Sequence, residues 1–268
     1  MSEREVLDLD VLFVGAGPAS LAGAIHLKRL LSKSGTEASV AVLEKASEIG
    51  AHSLSGAIVD PRALRELFPD FPDTDLPFEA EVSEEHLYYL TENKKIPFPF
   101  VPPSMSHHHC FVTSLGKLTR WLGNKCENEG VDIFCGFAGT ELMYEGEQVV
   151  GVRTGDRGID KNGEKKPQFE PGADIRAKVV ILGEGTRGSL TKNLIDRHEL
   201  MQGCNPQVWA VGVKELWQMP SGTVPPGYVA HTMGFPLGQA IFGGAFLYGM
   251  QNDIWDLGLV VGLDYQNP

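Results

Sequence analysis

The stretch VLFVGAGPAS, residues 11–20, decides the fold. Val11–Val14 is a short, wholly apolar run of the kind that forms a central strand buried on both faces. Gly15 and Gly17 break the strand. Pro18 then suits the first turn of a helix, where its fixed φ is pre-organised and its missing N–H is not needed. The Ala- and Leu-rich run to about Leu31 predicts that helix, and Ser39–Glu44 (SVAVLE) predicts a second strand. Strand, tight turn, helix and strand make a βαβ unit. Here Gly15 permits the turn and Gly17 lets backbone approach a pyrophosphate, which the positive helix start attracts. Ser20 is small enough to stand where a third glycine would let helix pack on strand. Glu44 is placed to accept hydrogen bonds from ribose hydroxyls. A Gly-rich turn without a ligand is the plain alternative.

Composition sets the outer limits. The 268 residues are 42% hydrophobic and 22% charged, enough for one large or two modest domains. A net charge of -12 argues against nucleic acid, which needs a basic footprint. Cys110, Cys126, Cys135 and Cys204 show no C-x-x-C spacing, so neither a zinc ribbon nor an iron–sulfur run is expected among them, and reduced thiols are. The acidic start MSEREVLDLD does not resemble a cleavable targeting segment. No run reaches the ~18 apolar residues of a membrane-spanning helix.

Beyond the βαβ unit, the Pro- and Phe-rich stretches LFPDFPDTDLPF and IPFPFVPP read as loops or insertions. Leu115–Glu129 has helical periodicity, with Leu115, Leu118, Trp121, Leu122 and Cys126 on one face. Thr140–Tyr144 and Gln148–Arg153 predict a hairpin, Asn162-Gly163 a tight turn, and Ala177–Leu182 a buried strand. That strand ends in a second Gly-rich turn, VVILGEGTRGSL (179–190), where Gly183 and Gly185 would let backbone approach a cofactor or merely turn the chain. Gln207–Asp264 alternates short β-like runs with Gly and Pro, as a mainly antiparallel domain would.

The interval from Gly15 to Glu44 exceeds the ~20 residues usual for simple nicotinamide folds. With the second glycine turn, it resembles the FAD-binding family that includes glutathione reductase and aromatic hydroxylases. LEKASEIGAHSLSGAIVDP (43–61), ELFPD (66–70), KELWQMP (214–220), HTMGFPL (231–237), FGGAFLYGM (242–250) and LGLVVGLDYQNP (257–268) narrow this further. Together they resemble the electron transfer flavoprotein–ubiquinone oxidoreductases over essentially the whole chain. The resemblance implies an α/β protein with a Rossmann-like, glutathione-reductase-type FAD domain over 1–205. A mainly antiparallel β ubiquinone-binding domain would begin at 206–268. It further implies electron transfer flavoprotein as donor, ubiquinone as acceptor, and peripheral attachment to a respiratory inner membrane.

Carried over residue by residue, the FAD segment covers Val14, Gly15, Ala16, Gly17, Pro18, Ala19 and Ser20, with Glu44, Lys45, Gly183 and Gly185. Residues 49–70 match a membrane-associating insertion, whose apolar members are Leu54, Ile58, Val59, Leu64, Leu67 and Phe68. Spacing alone favours a short helix, opened by Asp60-Pro61, that packs on the protein's own core, and the resemblance reverses that reading. Gly243 and Gly244 match the glycines at the quinone, with His231 as a neighbour, although a β-bulge explains such a pair as well. His52 and Ser55 are expected near the flavin, and His107-His108-His109 in a solvated loop. The family's enzyme is about twice this length and carries a four-iron cluster (4Fe-4S) in its distal half. This chain is therefore expected to be a partial sequence without the cluster. The competing readings are an isoprenoid-reducing or nitrogen-fixation-associated flavoprotein, and a non-catalytic flavin- or membrane-binding module.

Overall fold

The computed structural model describes residues 4–54, 56–72 and 75–265. Its elements begin with β1 (Val6–Val14), α1 (Pro18–Ser34), β2 (Val40–Glu44), β3 (Ala57–Val59), α2 (Arg62–Leu67) and β4 (Phe78–Glu81). Next come β5 (Glu84–Leu90), β6 (Lys95–Pro97), β7 (Phe111–Thr113), α3 (Leu115–Asn128), β8 (Asp132–Cys135) and β9 (Gly139–Glu145). The central part adds β10 (Gln148–Thr154), β11 (Arg157–Ile159), β12 (Lys165–Glu170), β13 (Asp174–Leu182) and α4 (Ser189–Arg197). The last strands are β14 (Ala210–Gln218), β15 (Tyr228–Gly234), β16 (Gly243–Met250) and β17 (Ile254–Gly262).

The chain folds into two compact units. The first runs to Ser53 and resumes over Thr119–Cys204; the second joins Leu54–Leu118 to the residues from Asn205 onward. The sequence had suggested that 54–118 belongs with the first domain. Strand pairing explains the difference, because β5 lies parallel to β15 with Val229 opposite Glu85.

In the first unit the sheet runs β8-β2-β1-β13-β10-β9, parallel across its first four strands and antiparallel at the β10 and β9 end. Its core gathers Leu12, Val14, Leu43, Val152, Ile175 and Leu190. Burying each such side chain contributes roughly 1.5–3 kcal/mol. Ser20, Leu21, Ala24 and Ile25 form the buried stripe of α1, which runs one turn past Leu31 to Ser34. Gly35 ends it in the left-handed conformation, φ 68°, which an L side chain resists.

The second unit holds a six-stranded sheet, β14-β17-β16-β15-β5-β6, and a small sheet, β3-β7-β4. All pairs in the larger sheet are antiparallel except β15 with β5. Val112, Val229 and Met250 form its core, with Ile58, Tyr248 and Ile254 packed against them.

Candidate functional site

The ends of β1, β2 and β13 meet at one cleft of the first unit, about 610 Å³ in volume. Its walls include Val14, Gly15, Ala16, Gly17, Glu44, Lys45, Gly183 and Gly185, together with His52 and Arg187. The carboxyl ends of parallel strands are where such sheets bind ligands. Ser55 lies outside the described residues.

The glycines divide the work. Gly15 has φ +96°, and a Cβ there would lie 2.5 Å from the Gly183 carbonyl oxygen, so it serves the turn itself. Its N–H donates to the Leu43 carbonyl (2.7 Å), and the Gly183 N–H donates to the Val14 carbonyl (2.8 Å). Gly183 is held against the helix: a Cβ would lie 2.0 Å from Ser20 Oγ. Gly17 and Gly185 differ from these, because a Cβ on either meets nothing within 4 Å. Those two face open space. Gly17 is also the N-cap of α1 and brings no side-chain cap, leaving first-turn N–H groups to an incoming anion. Ser20 lies beneath this turn, buried, and Pro18 and Ala19 begin the helix and are not among the cleft walls.

Two glutamates shape the cleft. Glu44 accepts from the Ala16 N–H (2.9 Å) and the Ala46 N–H (2.8 Å), so it fixes the glycine turn. Each carboxylate oxygen keeps a further acceptor site for a hydroxyl. Glu184, unnoticed in the sequence, caps α4: it accepts from the N–H of Leu190 (3.2 Å) and of Thr191 (2.8 Å). Gly188, the N-cap residue, has no side chain to do this, and a Cβ there would lie 2.5 Å from Glu184 Oε2. A glycine-lined approach, a helix start, two cations (Lys45 and Arg187) and an acceptor at the β2 end together fit a dinucleotide.

In the second unit Gly243 and Gly244 open β16. A Cβ on Gly243 (φ +153°) would lie 2.2 Å from the Val260 carbonyl oxygen, and one on Gly244 2.2 Å from that of Thr232. The sheet itself therefore excludes side chains at both positions. His231, on the neighbouring strand, is half-buried and shares a hydrogen bond with Tyr248 (Nε2 to hydroxyl, 3.1 Å). Burial, with His107 nearby, pushes the imidazole below its ordinary range. Burial, together with the Asp256 charge, pushes Tyr248 up to about 12. His107 is not simply solvated: Glu85 accepts its backbone N–H (2.7 Å) and pairs with Nδ1 (2.8 Å).

The residues expected to meet lipid are scattered. Leu54 is exposed, Ile58, Val59 and Leu67 are half-buried, and Leu64 and Phe68 are 8% and 2% exposed. As folded, α2 turns Leu64 toward the protein, the alternative that its spacing allowed. Among the described residues no group of three or more His, Cys, Asp or Glu is placed to hold a metal ion, and no helix is long and apolar enough to cross a membrane.

A family model described as "ETF-QO, ubiquinone-binding" matches residues 209–268. Identity then extends through the rest of the chain. The mitochondrial electron transfer flavoprotein–ubiquinone oxidoreductase of Dictyostelium discoideum is 42% identical over 99% of this chain. The chain belongs to the electron transfer flavoprotein–ubiquinone oxidoreductase family. The rice and human relatives of the same name are 43% and 42% identical, also over 99% of the chain. The chain spans 44% of the length of the Dictyostelium and human relatives and 46% of that of rice. Among solved structures, a geranylgeranyl bacteriochlorophyll reductase-like protein of Thermoplasma acidophilum has a TM-score of 0.62 at 18% identity. It covers 96% of this chain and 57% of its own. A flavoprotein/dehydrogenase of Cytophaga hutchinsonii scores 0.60, also at 18% identity, covering 95% of this chain and 56% of its own. At that identity the likeness is one of fold, a mixed α/β architecture shared with flavoproteins.

Proposed function

We propose that this chain carries the flavin cleft and part of the quinone site of an oxidoreductase that passes electrons from reduced electron transfer flavoprotein to ubiquinone. The observation that carries the reading is the ubiquinone-binding match over 209–268 joined, in one chain, to an open dinucleotide cleft at Gly15–Gly17. FAD, when bound, supplies electron transfer in single or paired steps. The chain's own residues bind and orient it. Gly17 and Gly185 admit the pyrophosphate beside the α1 start, Glu44 accepts the ribose hydroxyls, and Lys45 and Arg187 offset phosphate charge. Gly243, Gly244 and His231 belong to the quinone side. Attachment is peripheral, on a respiratory inner membrane, and the four-iron cluster lies outside the described residues.

The test uses the complete protein, loaded with FAD. Reduced electron transfer flavoprotein and a short-chain ubiquinone should give quinol formation that depends on both. A folded, flavin-loaded protein that reduces no quinone from this donor would overturn the proposal.

A further inference from the structure

One face of the larger sheet in the second unit carries a row of proton-bearing side chains that leads to His231. Glu85 on β5 lies opposite Val229, and His231 is two residues along from Val229, so Glu85 and His231 share this face. Glu85 accepts from Ser106 Oγ (3.0 Å) and from the His107 backbone N–H (2.7 Å), and it pairs with His107 Nδ1 (2.8 Å). The His107 and His231 rings follow, 5.5 Å between centres. His231 Nε2 then meets the Tyr248 hydroxyl at 3.1 Å. The row starts where water can reach it, with the His107 side chain 28% and Glu85 11% exposed. It ends beside the glycine pair. Phe246 lies opposite His231, and Gly244 is two residues from Phe246, on the same face. Diagonal neighbours of that kind stand about 7–8 Å apart.

We propose that Glu85, His107 and His231 form a relay that carries protons from solvent to the quinone ring. The inference rests on the reading of Gly243 and Gly244 as the quinone site. Reducing a quinone to a quinol takes two electrons, which the flavoprotein donor supplies, and two protons from water. Each proton forms an O–H bond at a ring carbonyl, whose π bond breaks as the ring becomes aromatic. The relay supplies the proton for the oxygen turned toward His231. Glu85 orients His107 through Nδ1 and offsets its charge when the ring gains a proton. Tyr248 holds His231 through Nε2. One nitrogen of each ring, His107 Nε2 and His231 Nδ1, is left for exchange, directly or across one water. Burial, with His107 nearby, keeps the His231 imidazole below its ordinary range, so a proton placed there is readily passed on. Tyr248, pushed up to about 12 by burial and the Asp256 charge, keeps its own proton and orients the ring. Two further charged groups, Asp256 opposite Tyr248 and Lys214 on β14, lie beyond the tyrosine and pair with one another at 3.5 Å.

The experiment uses the complete protein loaded with FAD, its reduced donor and a short-chain ubiquinone. His107→Gln and Glu85→Gln should each slow quinol formation by roughly tenfold or more, and His231→Ala by roughly a hundredfold. In the first two variants, quinone affinity by calorimetry and flavin reduction by the donor should stay near wild type. The solvent deuterium isotope effect on quinol formation should rise in His107→Gln, and free imidazole should restore rate to His231→Ala. His108→Gln, at the exposed neighbouring position, should match wild type. Wild-type rates, pH profile and isotope effect in both His107→Gln and Glu85→Gln would overturn the relay. NMR titration of the unsubstituted protein decides the matter without any variant. His107 and His231 should titrate as a coupled pair, and independent single-step curves would overturn the relay likewise. A wild type that does not bind short-chain ubiquinone would sink the quinone reading and the relay with it. Binding and turnover that survive every substitution would leave that reading standing and overturn the relay alone.

Discussion

Ser20 and Gly183 are packed so closely that a Cβ on Gly183 would lie 2.0 Å from the Ser20 hydroxyl. That hydroxyl is buried without a hydrogen-bond partner among the described residues. The small residue of the helix and the glycine ending β13 therefore fit each other, and the cofactor turn is fixed by packing from below. Gly183→Ala should lower stability by about 1–3 kcal/mol through this overlap. Adding Ser20→Ala should recover most of the loss, since the next neighbours of that Cβ lie at 3.4 and 3.5 Å. Thermal melts of the two single variants and the double variant check this. Simple additivity would refute the coupling.

Asp256 carries a second coupling. It is fully buried, with Lys214 Nζ 3.5 Å away and Gly56 so near that a Cβ there would lie 1.2 Å from its Oδ2. Burial raises its pKa, only partly offset by Lys214. The folded state then holds its proton to higher pH than the unfolded state does. This contribution to stability is fully present below the ordinary carboxylate range and is lost as pH rises through the raised value. Asp256→Asn should flatten that fall in urea midpoints measured across acidic pH. Lys214→Met, which leaves the carboxylate uncompensated, should cost about 3–5 kcal/mol near neutrality. An unchanged pH profile in Asp256→Asn would remove the argument.

His231 acts with the opposite sign. Its lowered pKa means that the folded state disfavours the imidazolium, so this contribution is present above the ordinary histidine range. It is lost as pH falls through that range toward the depressed value. His231→Gln should therefore lessen the loss of stability below neutral pH. Tyr248→Phe should cost about 0.5–1.5 kcal/mol by removing the hydrogen bond to the half-buried ring nitrogen. An NMR titration placing His231 at or above the ordinary value would contradict the first, and a Tyr248→Phe variant that melts like wild type would contradict the second.

Gly244→Ala should lower the melting temperature before any effect on quinone is considered, because the new Cβ would meet the Thr232 carbonyl oxygen at 2.2 Å. A variant with wild-type stability would show that the strand shifts freely there. Loss of quinone turnover at this glycine is informative only once stability is measured.

The βαβ opening was legible because its signals are local: an apolar run, two glycines, a proline and helical periodicity within a few dozen residues. The Glu184 cap was not, because nothing local says that a carboxylate in a Gly-rich turn will reach back over Gly188. The sheet's claim on Gly243 and Gly244 depends on register with Val260 and Thr232, which spacing does not reveal. For α2, an apolar face looks the same whether it meets lipid or core, so the burial of Leu64 needed the fold. His107 looked like one of three solvated imidazoles, until Glu85 on β5 came beside it.

The most direct test of the flavin assignment is the affinity of the folded chain for FAD, wild type against Gly17→Val, followed by flavin fluorescence. Gly17 has extended backbone angles that valine adopts freely, and a Cβ there meets no protein atom within 4 Å. The variant should therefore melt like wild type yet fail to bind, because its side chain fills the pyrophosphate approach. Wild-type FAD affinity in a folded Gly17→Val chain would contradict the account.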